Sequence, residues 1–205
     1  MKKELLDIAN KVRTLYLKYG IKSISMDDVA RELGISKKTL YLHIEDKEQL
    51  VKLVVELELE HRLCGFAEIF EQNLSAIDEL IETHKLVKNL HAEVNPAAEY
   101  DLRKYYPELY KLVQHQRIQK ATDFNITNLQ KGITQGWYRL ELSPIVIAKF
   151  YVASISAFIL PGFFTPEELA DPITLRQTFV YHLHGICNEK GLKYFYEKYP
   201  EYKIK

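Results

Sequence analysis

Cysteine is scarce in this chain, tryptophan occurs once, and there is no net charge. The two cysteines, Cys64 and Cys187, lie too far apart in sequence for a CxxC metal or redox motif. Each is expected to sit as a small apolar residue. Lys+Arg 28 against Asp+Glu 28 means that the whole-chain charge names no partner. Long hydrophobic runs are missing too. The most apolar stretch, Ile145 to Leu160, is broken by Lys149 and falls short of the roughly 20 residues a membrane helix needs. The N-terminal MKKELLDIANKV carries charges throughout and has no apolar centre, so it does not read as a signal peptide. A soluble cytoplasmic protein with no membrane partner is expected.

Signatures of catalysis are lacking as well. There is no Gly-rich phosphate loop, no Gly-x-Ser-x-Gly and no His-Glu-x-x-His. His182 and His184 are two apart, which on a helix turns them about 200° from each other and prevents chelation of one metal. No catalytic residue, metal ligand or cofactor is expected, and the chain does not read as an enzyme.

What is present is a pattern of helix signals. Hydrophobic residues make up 47% of the 205 residues, enough for a packed core. Asn95-Pro96, Ser143-Pro144, Thr165-Pro166 and Asp171-Pro172 each pair an N-cap residue with proline, which is tolerated at the first helical position. Apolar residues recur at three to four positions, as in Leu5, Ile8, Val12, Leu15 and Tyr19. No stretch alternates as a strand would. The reading is all-α with about nine helices: 2–19, 26–33, 37–44, 47–72, 75–93, 96–104, 107–135, 144–160 and 172–198, the last breaking near Gly191. Two domains are expected, 1–47 and 48–205. The first carries 10 Lys/Arg against 7 Asp/Glu, net +3, and the second is net −3. The basic end hints at an anionic partner.

The informative segment is Ser25 to Lys47, SMDDVARELGISKKTLYLHIEDK. Ser25 can cap a short helix whose apolar side is Met26, Val29, Ala30 and Leu33. Gly34 suits the positive φ of a helix exit, Ile35 plugs the corner, and Ser36 caps a second helix with Leu40 and Ile44 facing inward. Two short helices joined by a tight Gly turn are a helix-turn-helix. Lys37, Lys38, Thr39, Tyr41 and His43 then form an outer face suited to a major groove. Asp46 and Gln49 cap the next, long helix and put Lys47 at its start, within reach of a phosphate.

In this segment the sequence resembles the tetracycline-repressor (TetR) family. The resemblance covers roughly residues 5–50 and rests on Val29-Ala30, Leu33-Gly34-Ile35-Ser36, Thr39-Leu40-Tyr41, His43 and Asp46-Lys47-Glu48-Gln49-Leu50. Many members have Gly in place of Lys38 and Phe in place of Ile44. The resemblance implies phosphate contacts for Tyr41 and Lys47, with Lys37, Lys38, Thr39 and His43 on or near double-stranded DNA. Ser25, Met26 and Ser36, at the two helix starts, complete the expected DNA-binding set.

The resemblance also implies a homodimer, formed by the last two long helices, and a small effector held among the others. For the interface the chain offers Ile145, Ala148, Val152, Ile155 and Ile159, then Leu175, Phe179, Leu183 and Ile186. For a pocket it offers His61, Phe66, Phe70, Tyr100, Tyr110, Trp137, Phe150 and Phe158, which suit an apolar or aromatic effector. The expected function is a dimeric regulator, a repressor released from a pseudo-palindromic operator by that effector. The alternative is a regulator of the same fold that activates, or that answers to a protein partner.

Overall fold

The computed structural model describes residues 3–92, 95–156, 163–165, 167–168 and 171–203. Among these the chain is helical: α1 (Lys3–Tyr19), α2 (Met26–Leu33), α3 (Lys37–Tyr41), α4 (Lys47–Glu71), α5 (Ala76–Ala92), α6 (Pro96–Tyr105), α7 (Pro107–Thr134), α8 (Pro144–Ser156), α9 (Pro172–Ile186) and α10 (Glu189–Lys198). A 3-10 turn, Pro200–Tyr202, follows α10. No strand forms among the described residues; one isolated antiparallel bridge pairs Tyr138 with Cys187.

The caps explain the helix starts. Asn95 and Asp171 accept the backbone N–H of Ala97 and Ile173, each with proline at the first turn. Thr165 and Glu168 exchange the two hydrogen bonds of a capping box. The expected last helix breaks earlier than Gly191. Cys187 leaves the helix in an extended conformation, and Asn188 caps α10 by accepting the Gly191 N–H. Gly191 lies inside α10, and the position requires glycine because the Trp137 carbonyl oxygen would stand 2.3 Å from any Cβ there.

The residues divide into two compact units, Met1–Glu68 with Leu86–Arg117, and Ile69–Lys85 with Ile118–Lys205. The division falls within α4, α5 and α7. The first unit closes on Ala9, Val12, Val29, Leu40, Ile44, Leu50 and Val51, all nearly inaccessible to water. The second closes on Ile77, Ile81, Leu129, Tyr138, Ala148, Phe179, Leu183 and Phe195.

Candidate nucleic-acid interface

In the first unit, α2 and α3 make a helix-turn-helix from local chemistry. Ser25 accepts the Asp28 N–H and the Asp28 carboxylate accepts the Ser25 N–H, closing a capping box. These bonds leave the Asp28 carboxyl below its ordinary range, the Ser25 hydroxyl being the main cause. Gly34 ends α2 at φ 67°, where its N–H reaches the Ala30 and Arg31 carbonyls. Ser36 starts α3 by accepting the Thr39 N–H at 3.0 Å. Leu40 and Ile44 face inward and are almost fully buried.

α3 is shorter than the spacing predicts. It ends at Tyr41, and the Leu42 N–H tightens back onto the Leu40 and Thr39 carbonyls. The chain must turn here so that Ile44 reaches the core and Asp46 can accept the Gln49 N–H, 2.8 Å, at the start of α4. His43 is therefore half-buried in the turn after α3, not on its outer face. What α3 presents outward is Lys37, Lys38, Tyr41 and, at its end, Leu42, which is 77% exposed. Leu42 was missed in the sequence reading. Its position two residues from buried Leu40, about 200° around a helix, was the available signal.

The other expected contacts separate into kinds. Met26 is 8% exposed and belongs to the core, so its side chain offers nothing to DNA; the apolar side of α2 buries it with Val29 and Ala30. Ser25, Ser36 and the half-buried Thr39 are exposed enough to touch a ligand, yet their side chains are already engaged in caps. Lys37 pairs with Asp27 of α2 at 2.8 Å, both exposed. Lys38 has no ion-pair partner among the described residues and keeps its charge for a partner outside the chain. Lys47 is half-buried and donates to the Ile24 carbonyl at 2.6 Å and the Lys22 carbonyl at 3.4 Å. Burial lowers its pKa. It holds the α1–α2 connection to the start of α4.

Comparison with known proteins bears on this surface. Residues 12–54 match the family model described as bacterial regulatory proteins, tetR family. Over this segment the chain is similar to the TetR family. The curated relatives that it matches are described as HTH-type transcriptional regulators. It is similar to an uncharacterized HTH-type transcriptional regulator, YfiR, of Bacillus subtilis (strain 168), 25% identical over 88% of this chain and 90% of that one. Two solved structures share the fold. One is a transcriptional regulator from Cytophaga hutchinsonii ATCC 33406, with a TM-score of 0.75 and 19% identity, covering 90% of this chain and 99% of that one. The other is a TetR-family regulator from Agrobacterium tumefaciens, with a TM-score of 0.64 and 22% identity, covering 91% and 99%. Lys37, Lys38, Tyr41 and Lys47 all lie within the matched segment, as do Gly34 and both caps.

The second unit revises the expected interface. Ala148, Val152, Phe179, Leu183 and Ile186 are buried in this chain's own core and cannot meet a second copy. α8 contains one charged residue, Lys149, so it is apolar on two sides and the sequence pattern alone does not say which side is inward. The outward side holds Ile145, Val146 and Phe150, exposed by 55%, 62% and 67%. On α9, Ile173 and Tyr181 are the exposed apolar residues. Ile155 and Leu175 are half-buried. Ile159 and Phe158 lie outside the described residues.

The aromatic pocket set is likewise scattered. His61 is exposed, and Phe66 and Tyr110 are half-buried. Phe70 stacks on Phe124 at 5.2 Å, and Trp137 packs on Tyr194 with Lys190 over its ring. Tyr100 is half exposed beside Lys104, and Phe150 faces outward. None of them lines the cavity of the first unit. No helix among the described residues is long and apolar enough to cross a membrane.

Proposed function

We propose that the chain works in the cytoplasm as a homodimer that occupies a pseudo-palindromic operator, represses transcription there, and is released by a small organic effector. The observation that carries the reading is the outward face of α3. Lys38 has no ion-pair partner among the described residues, Tyr41 is 42% exposed, and both belong to a helix pair capped at each start. A short helix with cationic and hydrogen-bonding side chains at its N-terminal end fits the major groove.

Support for two copies comes from the second unit. A helix apolar on two sides needs a partner on each, and Phe150 and Tyr181 would otherwise stand in water. Two-fold symmetry then sets two reading heads about one helical turn of DNA apart. Repression follows because an occupied promoter excludes polymerase.

Footprinting of the purified protein on the DNA upstream of its own gene tests the reading. The expected result is two protected half-sites about 10 base pairs apart, centre to centre. Sedimentation should give a dimer for the wild type and a monomer for Phe150→Glu with Tyr181→Glu. A single unpaired half-site, or a dimer that survives both substitutions, contradicts the proposed assembly.

A further inference from the structure

The first unit buries an ionic cluster that is not closed. Glu58 of α4 has both carboxylate oxygens occupied, one by Arg13 of α1 and the other by Arg62 at 2.6 Å. Burial works against its charged form, but the two guanidinium groups outweigh it and hold its carboxyl below the ordinary range. Glu99 of α6 accepts a hydrogen bond from Gln114 at 3.1 Å. It stands 3.9 Å from Arg117 of α7, too far for a hydrogen bond. Two donors are left over. The Tyr16 hydroxyl and the Arg117 Nε–H are shut off from solvent and have no hydrogen-bond partner among the described residues. Tyr16 as a whole is only 3% exposed.

Both residues line a cavity of about 70 Å³. Its wall also carries Arg13, Arg62, Glu58 and Glu99, so cationic groups exceed anionic ones by one. The remainder is largely apolar, with Val54, Val55 and Leu102 among its members. Water would meet the two vacant hydrogen bonds but not the surplus charge. A buried donor without an acceptor is costly, and the half-buried Arg117 has no carboxylate within hydrogen-bond reach among the described residues. One water needs roughly 10–15 Å³ of such space, so the cavity has room for a carboxylate and several attached carbons.

We propose that this cavity binds a small monocarboxylate with an apolar body, its carboxylate accepting from Arg117 Nε–H and the Tyr16 hydroxyl. The carbon body lies against Val54, Val55 and Leu102. The inference rests on the regulator reading for its consequence and names the effector class for it. α1 supplies Arg13 and Tyr16 to the cavity wall, and the same helix buries Ala9 and Val12 in one core with Val29 of α2 and Leu40 of α3. Occupancy is therefore felt within the unit that carries the reading head.

The test uses the full chain with butyrate and benzoate as probes, and butanol and benzyl alcohol as uncharged controls. Calorimetric titration should show both acids binding and the alcohols at least about tenfold weaker, the difference expected of a lost charged hydrogen bond. Arg117→Gln should weaken acid binding about tenfold or more, and Tyr16→Phe should weaken it several-fold. Tyr16→Phe is expected to keep the fold, because the hydroxyl has no partner among the described residues. Failure of both acids to bind overturns the proposal, as does equal affinity in wild type, Arg117→Gln and Tyr16→Phe. Operator binding is measured alongside. If DNA is bound and neither acid binds, the site is wrong and the regulator reading stands. If the acids bind and DNA affinity does not change, the site stands and effector release is contradicted.

Discussion

A buried carboxylate anchors each of the two units, and the two are completed differently. In the second unit, Glu79 of α5 is wholly inaccessible, yet Asn128 donates to it at 2.8 Å and Lys131 at 2.6 Å. The Tyr138 hydroxyl reaches Asn128 Oδ1 at 3.0 Å and the Ala76 carbonyl at 3.1 Å. Its neighbour Asp78 accepts from Tyr194, Lys198 and Tyr199 between 2.7 and 2.9 Å. In the first unit, Glu58 is equally well partnered, but Tyr16 and Arg117 beside it are not. A closed network fixes a fold. An open one beside a cavity leaves hydrogen-bonding capacity for a ligand.

The largest effect that sharpens this contrast is expected from Glu79→Ala. It strands Lys131 and Asn128 in the interior and should remove about 3–5 kcal/mol of stability in urea denaturation. Next comes acid. His182 stacks on Tyr151 at 3.7 Å, and burial lowers its pKa to about 4. The unfolded chain takes up a proton near pH 6.5 that the folded chain refuses until about pH 4. Stability should therefore fall by about 3 kcal/mol across that window as pH drops, and His182→Phe should flatten the profile. Asp78 acts further down. Burial pushes its carboxyl up, but the bonds from Lys198, Tyr199, Tyr194 and Ser75 hold it below its ordinary value. Its contribution is present above the unfolded carboxyl pKa and is lost as pH falls through the folded one.

The two tyrosines then give the comparison at its cleanest. Tyr138→Phe leaves Asn128 Oδ1 without its donor and should cost about 1–3 kcal/mol, whereas Tyr16→Phe removes a hydroxyl with no partner and should cost about nothing. Equal costs for the two would erase the distinction between a closed and an open network.

The same contrast explains what the sequence revealed. The head is written in local chemistry. Ser25 with Asp28, Gly34 with Ala30 and Arg31, and Ser36 with Thr39 each act across four residues or fewer, so α2, the turn and the start of α3 are legible in order. The end of α3 was not, because it depends on Ile44 reaching a core built by α1 and α4. In the second unit, Asp78 meets Tyr199 across 121 positions, and no spacing rule announces such a pair. α8 shows the other limit. Ala148 and Val152 look as suited to an interface as Ile145 and Phe150, and only packing assigns the first pair inward. The Arg13–Glu58–Arg62 cluster escaped for the same reason, since a lone arginine on α1 gives no sign of a glutamate 45 residues on.

The outward face of α3 is the proposed DNA-reading surface. Fluorescence anisotropy of the full chain on its upstream DNA, with scrambled competitor and a series of salt concentrations, measures that face for wild type and Lys38→Ala. The expected result is tight, competitor-resistant binding by the wild type, and a salt slope shallower by about one for Lys38→Ala. Weak binding that the scrambled DNA removes, or an identical salt slope for the two proteins, would contradict it.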